Sequence, residues 1–360
     1  MLRPASYVAA VYDRRPLPPA VIDRRYSAVS WWSAASGRAL NPFPQWRDRG
    51  SSGLHCLFLA FTLTFTLTLP AAETSEPAPL AAKALLLDIA RAGDRLVAVG
   101  AHGNVVVSAD EGVTWTQAIA PTRALLTAVS FPDARHGWAV GHDGVILATS
   151  DGGANWTRQD SGDDLRTVWL DVLFLDAEHG FAAGAYGKFI VTTDGGKTWS
   201  PRKPMEDELH YNRIAAAPDG KLYLAGESGT LLVSEDKGET WTQLDAPYEG
   251  SLFALTTTDR GGLVVAGLRG HILVSSDGGA SWAGRHSEVK IIIMGGTRMP
   301  DGTVVLAGQG GNLFISRDAG ASFTPWKPAD FGTSVADVIP AADGSLVTVG
   351  EGGAVRLKLP

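Results

Sequence analysis

Six carboxylates recur in one setting along this chain. They lie in the phrases SADEGVTW from Ser108, TSDGGANW from Thr149, TTDGGKTW from Thr192, SEDKGETW from Ser234, SSDGGASW from Ser275 and SRDAGASF from Ser316. The carboxylates are Asp110, Asp151, Asp194, Asp236, Asp277 and Asp318. Aspartate beside glycine in a short loop is one way to hold Ca²⁺, but each phrase offers a single carboxylate in the relevant places and no distal Glu. A local role is expected instead. Ser/Thr and Asp side chains bond backbone N–H groups inside a turn, and glycine accepts positive φ. The aromatic that follows (Trp115, Trp156, Trp199, Trp241, Trp282 and Phe323) buries a large ring against a sheet.

Other titratable groups recur more loosely. Asp171 and Asp337 each lie thirteen residues before a glycine, Gly184 and Gly350, and Asp88 lies twelve before Gly100. Two such carboxylates near each other could bind a cation or share a proton. They can equally accept backbone N–H bonds or hydrate a channel, and that plainer reading is preferred. His102 and His142 occupy equivalent turns, but one imidazole per turn is no metal site, so no metal or cofactor is expected. Basic residues recur where the chain enters successive repeats: Arg123, Arg166, Arg213 and Lys290. Together they would form a positive patch suited to an acidic peptide tail or a headgroup. Singly they would be solvated strand ends or partners of Asp163 and Asp164.

The elements that must position these groups follow from the spacing. The six aspartates are separated by 41, 43, 42, 41 and 41 residues, and a Gly-x-x-Gly turn recurs seven times, from Gly100–Gly103 to Gly350–Gly353. A period near 42 is one supersecondary unit repeated. Within the second unit, LLTAVSF, WAVG, VILATS and NWTRQ read as four short strands divided by turns. The predicted fold is all-β: a seven-bladed β-propeller of four-stranded antiparallel blades. The seventh unit ends after three strands, and residues 74–82 are expected to supply its fourth. Pro77 and Pro79 are tolerable in an outermost strand. Antiparallel order puts the glycine turns and the variable links 158–166, 201–211, 243–250 and 325–333 on one face, where function is expected. The Asp phrases lie on the other.

Charge and composition narrow the class. Residues 1–72 carry eight Arg and three Asp, whereas 73–360 carry 23 basic and 35 acidic residues. A folded part with a net charge of −12 argues against nucleic-acid binding. The one cysteine, Cys56, lies in the leader, so neither a disulfide nor a thiolate metal site is expected beyond it. Residues 54–69 form a short apolar run after Arg47 and Arg49 and before Pro70-Ala71-Ala72, the pattern of a signal peptide within 51–72. Residues 1–50 show no period; they are expected to be disordered or to precede the true start. The folded domain is expected to span 73–360.

The recurring phrase is similar to the Asp box, or BNR repeat, of sialidases, xyloglucanases, sortilin-type receptors and the photosystem II stability/assembly factor family. The stretches HGWAVGHDGVILATSDGGANW (136–156) and HGFAAGAYGKFIVTTDGGKTW (179–199) resemble the last of these. That resemblance covers about 83–360. It implies a non-enzymatic, exported scaffold aiding a membrane protein complex and holding the complex or its exposed peptide tail, with arginines making the contact. The chain itself is expected to be monomeric. Its location would be the periplasm, or the thylakoid lumen of a phototroph. The alternative is a sialidase-like, carbohydrate-active or carbohydrate-binding propeller. Such an enzyme needs converging arginines and a Tyr/Glu pair, and Tyr211 is the one tyrosine that starts an innermost strand. The Phe/Tyr-Arg-Ile-Pro string of sialidases is absent; Asn212-Arg213-Ile214-Ala215 lacks its proline.

Overall fold

The computed structural model describes residues 73–162, 165–258 and 261–360. The leader and the acids Asp163 and Asp164, named above, lie outside the described residues. The rest forms seven consecutive antiparallel sheets, each paired in chain order. Blade 1 comprises Leu86–Ala92, Arg95–Gly100, Val105–Ser108 and Thr116–Ala118. The innermost strands of blades 2 to 7 are Leu126–Ser130, Trp169–Phe174, Tyr211–Ala216, Leu252–Thr257, Ile293–Arg298 and Val335–Pro340. Second strands such as Gly137–Gly141 and Leu263–Gly267 are buried throughout, as expected for sheets covered on both faces. The described residues contain 3₁₀ turns but no α-helix, and none of their helical segments is long and apolar enough to cross a membrane.

Seven apolar clusters fill the seven seams between blades, and the Asp phrases supply the plugs. The aromatic of each phrase turns back onto the preceding blade. Trp156 of blade 2 packs with Val97 and Val99 of blade 1, and Trp115 of blade 1 with Val347 and Val349 of blade 7. Trp199, Trp241, Trp282 and Phe323 repeat this at the next four seams. The box aspartate makes the turn rigid enough to aim that ring. Asp194 Oδ1 accepts from Thr192 Oγ1 (2.8 Å) and the Thr198 N–H (2.9 Å), and Oδ2 accepts from Thr198 Oγ1 (2.7 Å). These bonds, led by the Thr198 hydroxyl, hold the Asp194 carboxyl down to about 2. The carboxylate is thus committed to its own turn.

The glycine turns have a second constraint. A Cβ on Gly100 would lie 2.2 Å from the Leu85 carbonyl, and one on Gly103 (φ 69°) 2.1 Å from that of Thr122. The first glycine lets the turn reach its own entering chain, and the second lets it reach the link to the next blade. Ala101 N–H donates to Leu85 O and Gly103 N–H to Ala124 O, and the equivalent pair recurs at Gly141–Gly144 with Leu125 and Thr167.

Ring closure differs from the sequence expectation. The seventh sheet has three strands, and residues 74–82 do not add a fourth. They run over blade 1, where Ser75 pairs with Ala120 and the Gln117 side chain bonds Glu76 O and Ala78 N–H. They then turn through Ala81–Lys83 so that Ala82 O receives the Ala354 N–H. Ala82 thereby takes the place that a link from an outer strand holds elsewhere. With no strand exchanged, blades 7 and 1 meet through packing and one ionic knot. Glu111 accepts two bonds from Arg91 (2.8 and 2.9 Å) and one from Ala342 N–H (2.9 Å), while Arg356 bonds Glu111 O and Asp343. At the other flank of blade 7, which lacks a box aromatic, Trp326, Phe331, Leu357 and Leu359 fill the seam.

Two outcomes follow from this architecture. Glu111→Ala removes the acceptor shared by blades 1 and 7 and should cost about 2–3 kcal/mol in urea unfolding, since charged hydrogen bonds carry that weight. The box carboxylates Asp110, Asp194, Asp236 and Asp277 are all held near 2 by hydrogen bonds from their own turns. Their contribution is complete above the unfolded carboxyl pKa of about 4 and is lost as pH falls toward 2. Asp194→Asn should therefore melt earlier than the wild type at pH 5 but show a shallower fall toward pH 2.5 in circular dichroism melts.

Candidate functional site

One register position, repeated in all seven innermost strands, builds the axis of the ring. It is the residue opposite the one before each turn glycine: Asp88, Ala128, Asp171, Arg213, Ala254, Gly295 and Asp337. A bulge or irregularity precedes or adjoins it in each strand. Arg213 of blade 4 reaches across to three other blades. Its Nη2 lies 2.9 Å from Asp337 Oδ2, its Nη1 3.4 Å from Asp88 Oδ1 and its Nε 3.8 Å from Asp171 Oδ2. The small residues of blades 2, 5 and 6 leave space for the guanidinium; a Cβ on Gly295 would sit 2.6 Å from Asp337 Oδ1.

The same residues staple neighbouring blades, whose innermost strands share no sheet. Asp88 Oδ2 accepts the Val129 N–H (2.7 Å), and Asp171 accepts the N–H groups of Ile214 (2.7 Å) and Val172 (2.9 Å). Ser130 Oγ accepts the Phe174 N–H, Thr127 donates to Trp169 O, and Asn212 donates to Leu252 O. Blades 1 to 5 are thus chained through side chains. The preferred reading of Asp88 and Asp171 as acceptors of backbone N–H bonds is what the structure contains.

Burial dominates the electrostatics here. The three aspartates are 3–4% exposed. Burial pushes Asp88 well above the usual carboxylate range and Asp171 up to about 6, with Arg213 opposing in both cases. Burial also works against the Arg213 charge, but the three carboxylates hold its pKa well above the ordinary value. Asp337 Oδ1 is buried and receives no hydrogen bond.

This overturns one expectation. Arg213 is not part of a surface patch; it is the hub of the axis. The sequence held a usable signal, because Arg213 lies thirteen residues before Gly226, the offset already noted for Asp171 and Asp337. The other basic residues are exposed on the glycine-turn face, but not in one cluster. Arg123 sits on the link between blades 1 and 2 and is 2.9 Å from Glu76 of the entering segment. Arg166 occupies the next link, whereas Lys290 lies between blades 5 and 6, three blades away. Two apolar side chains not singled out from the sequence are also exposed: Leu165, next to Arg166 in the chain, and Tyr186, in the glycine turn of blade 3. Leu165 is 72% exposed, and Tyr186 is 56% exposed at φ 57°, with its ring edge-on to His210 at 4.8 Å. A non-glycine residue in that backbone region costs about 1–2 kcal/mol. Tyr211, the candidate for sialidase-type chemistry, is fully buried with its hydroxyl pushed up to about 12 by burial.

Fold and site together define a seven-bladed β-propeller with a salt-linked axis. Within that class the family model for the photosynthesis system II assembly factor YCF48 matches residues 113–167 and 163–359, and the chain belongs to this family. No curated protein matches the chain. Among solved structures, YCF48 bound to D1 peptide is 20% identical, covering 77% of this chain and 94% of that one with a TM-score of 0.64. YCF48 from Cyanidioschyzon merolae is 18% identical, covering 79% and 97%, with a TM-score of 0.62. The WD40 propeller domain of Doa1 is 14% identical, covering 80% and 95%, with a TM-score of 0.58. At these identities the likeness is one of fold.

Arg213→Met leaves three buried carboxylates without their cation and should cost about 3–5 kcal/mol, the usual result of removing one partner from a buried ionic group. A urea midpoint unchanged from wild type would show that the hub carries no such weight.

Proposed function

We propose that this chain is an exported, non-enzymatic assembly factor that docks an exposed peptide segment of a membrane protein complex on its glycine-turn face. The observation that carries the reading is local. Arg123, paired with Glu76, and Arg166 stand exposed on adjacent links of the face that also exposes Leu165 and Tyr186. A pair of guanidiniums on one face with an aromatic and an aliphatic side chain suits an acidic segment with apolar residues, through bidentate carboxylate contacts and ring packing. Family membership supports the assembly role, and one solved structure of similar fold has a peptide of D1 bound. The reading of an exported protein, periplasmic or, in a phototroph, lumenal, is supported by the basic and apolar pattern of the leader.

The carbohydrate-active alternative loses ground. The hydroxyl of Tyr211 is buried, Arg213 is occupied by three carboxylates, and the box aspartates are bonded within their own turns.

Arg123→Glu combined with Arg166→Glu should reduce recovery of the partner complex in crosslinked pull-downs from native envelopes by about tenfold or more. The melting temperature should stay within about 2 °C of wild type, since both side chains are exposed. Undiminished recovery by a folded double variant would refute the docking surface.

A further inference from the structure

The axis contains a feature that neither docking nor family membership uses. The ring closes without an exchanged strand, so blades 1 and 7 have no shared sheet. At the axis each of these two blades contributes one buried carboxylate, Asp88 at 4% exposure and Asp337 at 3%. Their donors are too few. Asp88 Oδ2 has the Val129 N–H at 2.7 Å, and Arg213 reaches Asp88 Oδ1 only at 3.4 Å. Asp337 Oδ2 has Arg213 at 2.9 Å, and its Oδ1 has no donor. Asp171 shares the same guanidinium but has two backbone N–H groups of its own.

We propose that Asp88 and Asp337 hold one proton between them, a carboxylic acid–carboxylate hydrogen bond that joins the first blade to the last and makes ring closure proton-dependent. Asp88, as the acid, donates to the orphaned oxygen of Asp337. On ionisation the proton leaves to solvent along the axis, where Arg213 retains 26% exposure. Two neighbouring anions then face each other across the closure seam, with one guanidinium shared among three carboxylates. The charge on Asp88 is opposed first by burial and then by Asp337, with Arg213 acting the other way.

The surroundings contain little else that titrates. The innermost strands of blades 2 and 5 have no ionisable side chain. Blade 1 adds Arg91, which is paired with Glu111. Blade 4 adds the buried Tyr211, and blade 6 adds Arg298, five residues along its strand from Ile293. Blade 3 adds Asp171, whose carboxyl burial pushes up to about 6 against the opposing Arg213 charge. A carboxyl whose folded pKa is raised contributes stability that is complete below about pH 4 and disappears as pH rises through the folded value. His142 on the glycine-turn face acts in the opposite direction. Burial lowers its pKa, so its contribution is lost as pH falls. The informative quantity is therefore the difference between wild type and a variant.

Asp337→Asn keeps the shape and provides an amide donor to an ionised Asp88. In melts of the full chain it should be more stable than wild type at pH 8, by roughly 2–5 °C, and the two should converge at pH 5. A variant less stable than wild type by the same margin at both pH values would overturn the shared proton. A second reading uses wild type alone. At pH 7.5 the infrared spectrum in D₂O should retain the carbonyl band of a buried protonated carboxyl. Asp88→Asn, whose amide oxygen still accepts from Val129, should abolish that band. A wild-type spectrum without the band at that pH would sink the proposal even if neither variant folds.

Discussion

Seven sheets arranged around an axis share no ladder hydrogen bonds, and much else in this protein answers that constraint. Each sheet satisfies its own ladder internally, so what holds one blade to the next is side chains, together with the turn N–H groups that bond the connecting links. The outer part of every seam but one is filled by a ring carried on an Asp-box turn, while the seam without a box is filled by Trp326, Phe331 and the C-terminal leucines. The inner part is held by polar staples along the innermost strands, each an edge of its own sheet, whose N–H groups on the unpaired side bond side chains of a neighbouring blade. The box is thus a structural device whose carboxylate serves to aim an aromatic at another blade.

The sequence made the fold legible because the constraint acts identically in each repeat. The same Ser/Thr, Asp, Gly and aromatic are needed at every seam, so the pattern survives in plain residue types and exposes the blade count. Closure was misjudged for the complementary reason. It occurs once, has no period, and depends on where residues 74–82 run. Pro77 and Pro79 deprive that stretch of two N–H donors, and Gln117 then holds its backbone through a side chain instead of a ladder. Similarly, Asp88, Asp171 and Asp337 were recognisable by offset, whereas Arg213 was grouped by charge with Arg123 and Arg166. Offset from the turn glycine, the better coordinate, would have placed it with the aspartates. Tyr186 and Leu165 gave no signal, because an exposed apolar side chain is defined by what does not cover it.

The hub also limits where partners can act. A guanidinium bonded to carboxylates of blades 1, 3 and 7 occupies the axis, and those carboxylates are almost wholly buried. The exposed links lie off the axis and differ in length and composition from blade to blade. Arg123 and Arg166 are equivalent positions on successive links, so the distance between them is set by the rigid repeat and not by the links themselves.

An ionic hub is an expensive choice for stability, since well-packed apolar residues at the same seven positions would often do as well or better. Its distribution suggests what it supplies instead. Apolar seams are built from similar residue types at every blade, so they discriminate less sharply between partners. The Arg213 hub is not interchangeable, because it is satisfied only when blade 4 faces blades 1, 3 and 7 with small residues at blades 2, 5 and 6. A ring closed without strand exchange needs a contact that distinguishes complete closure from a register in which a blade is missing or displaced. Three carboxylates converging on one guanidinium provide that contact, since any misclosed ring leaves a buried charge unpaired. The polarity of the axis is best understood as specifying the number and order of blades, while the apolar seams supply most of the cohesion.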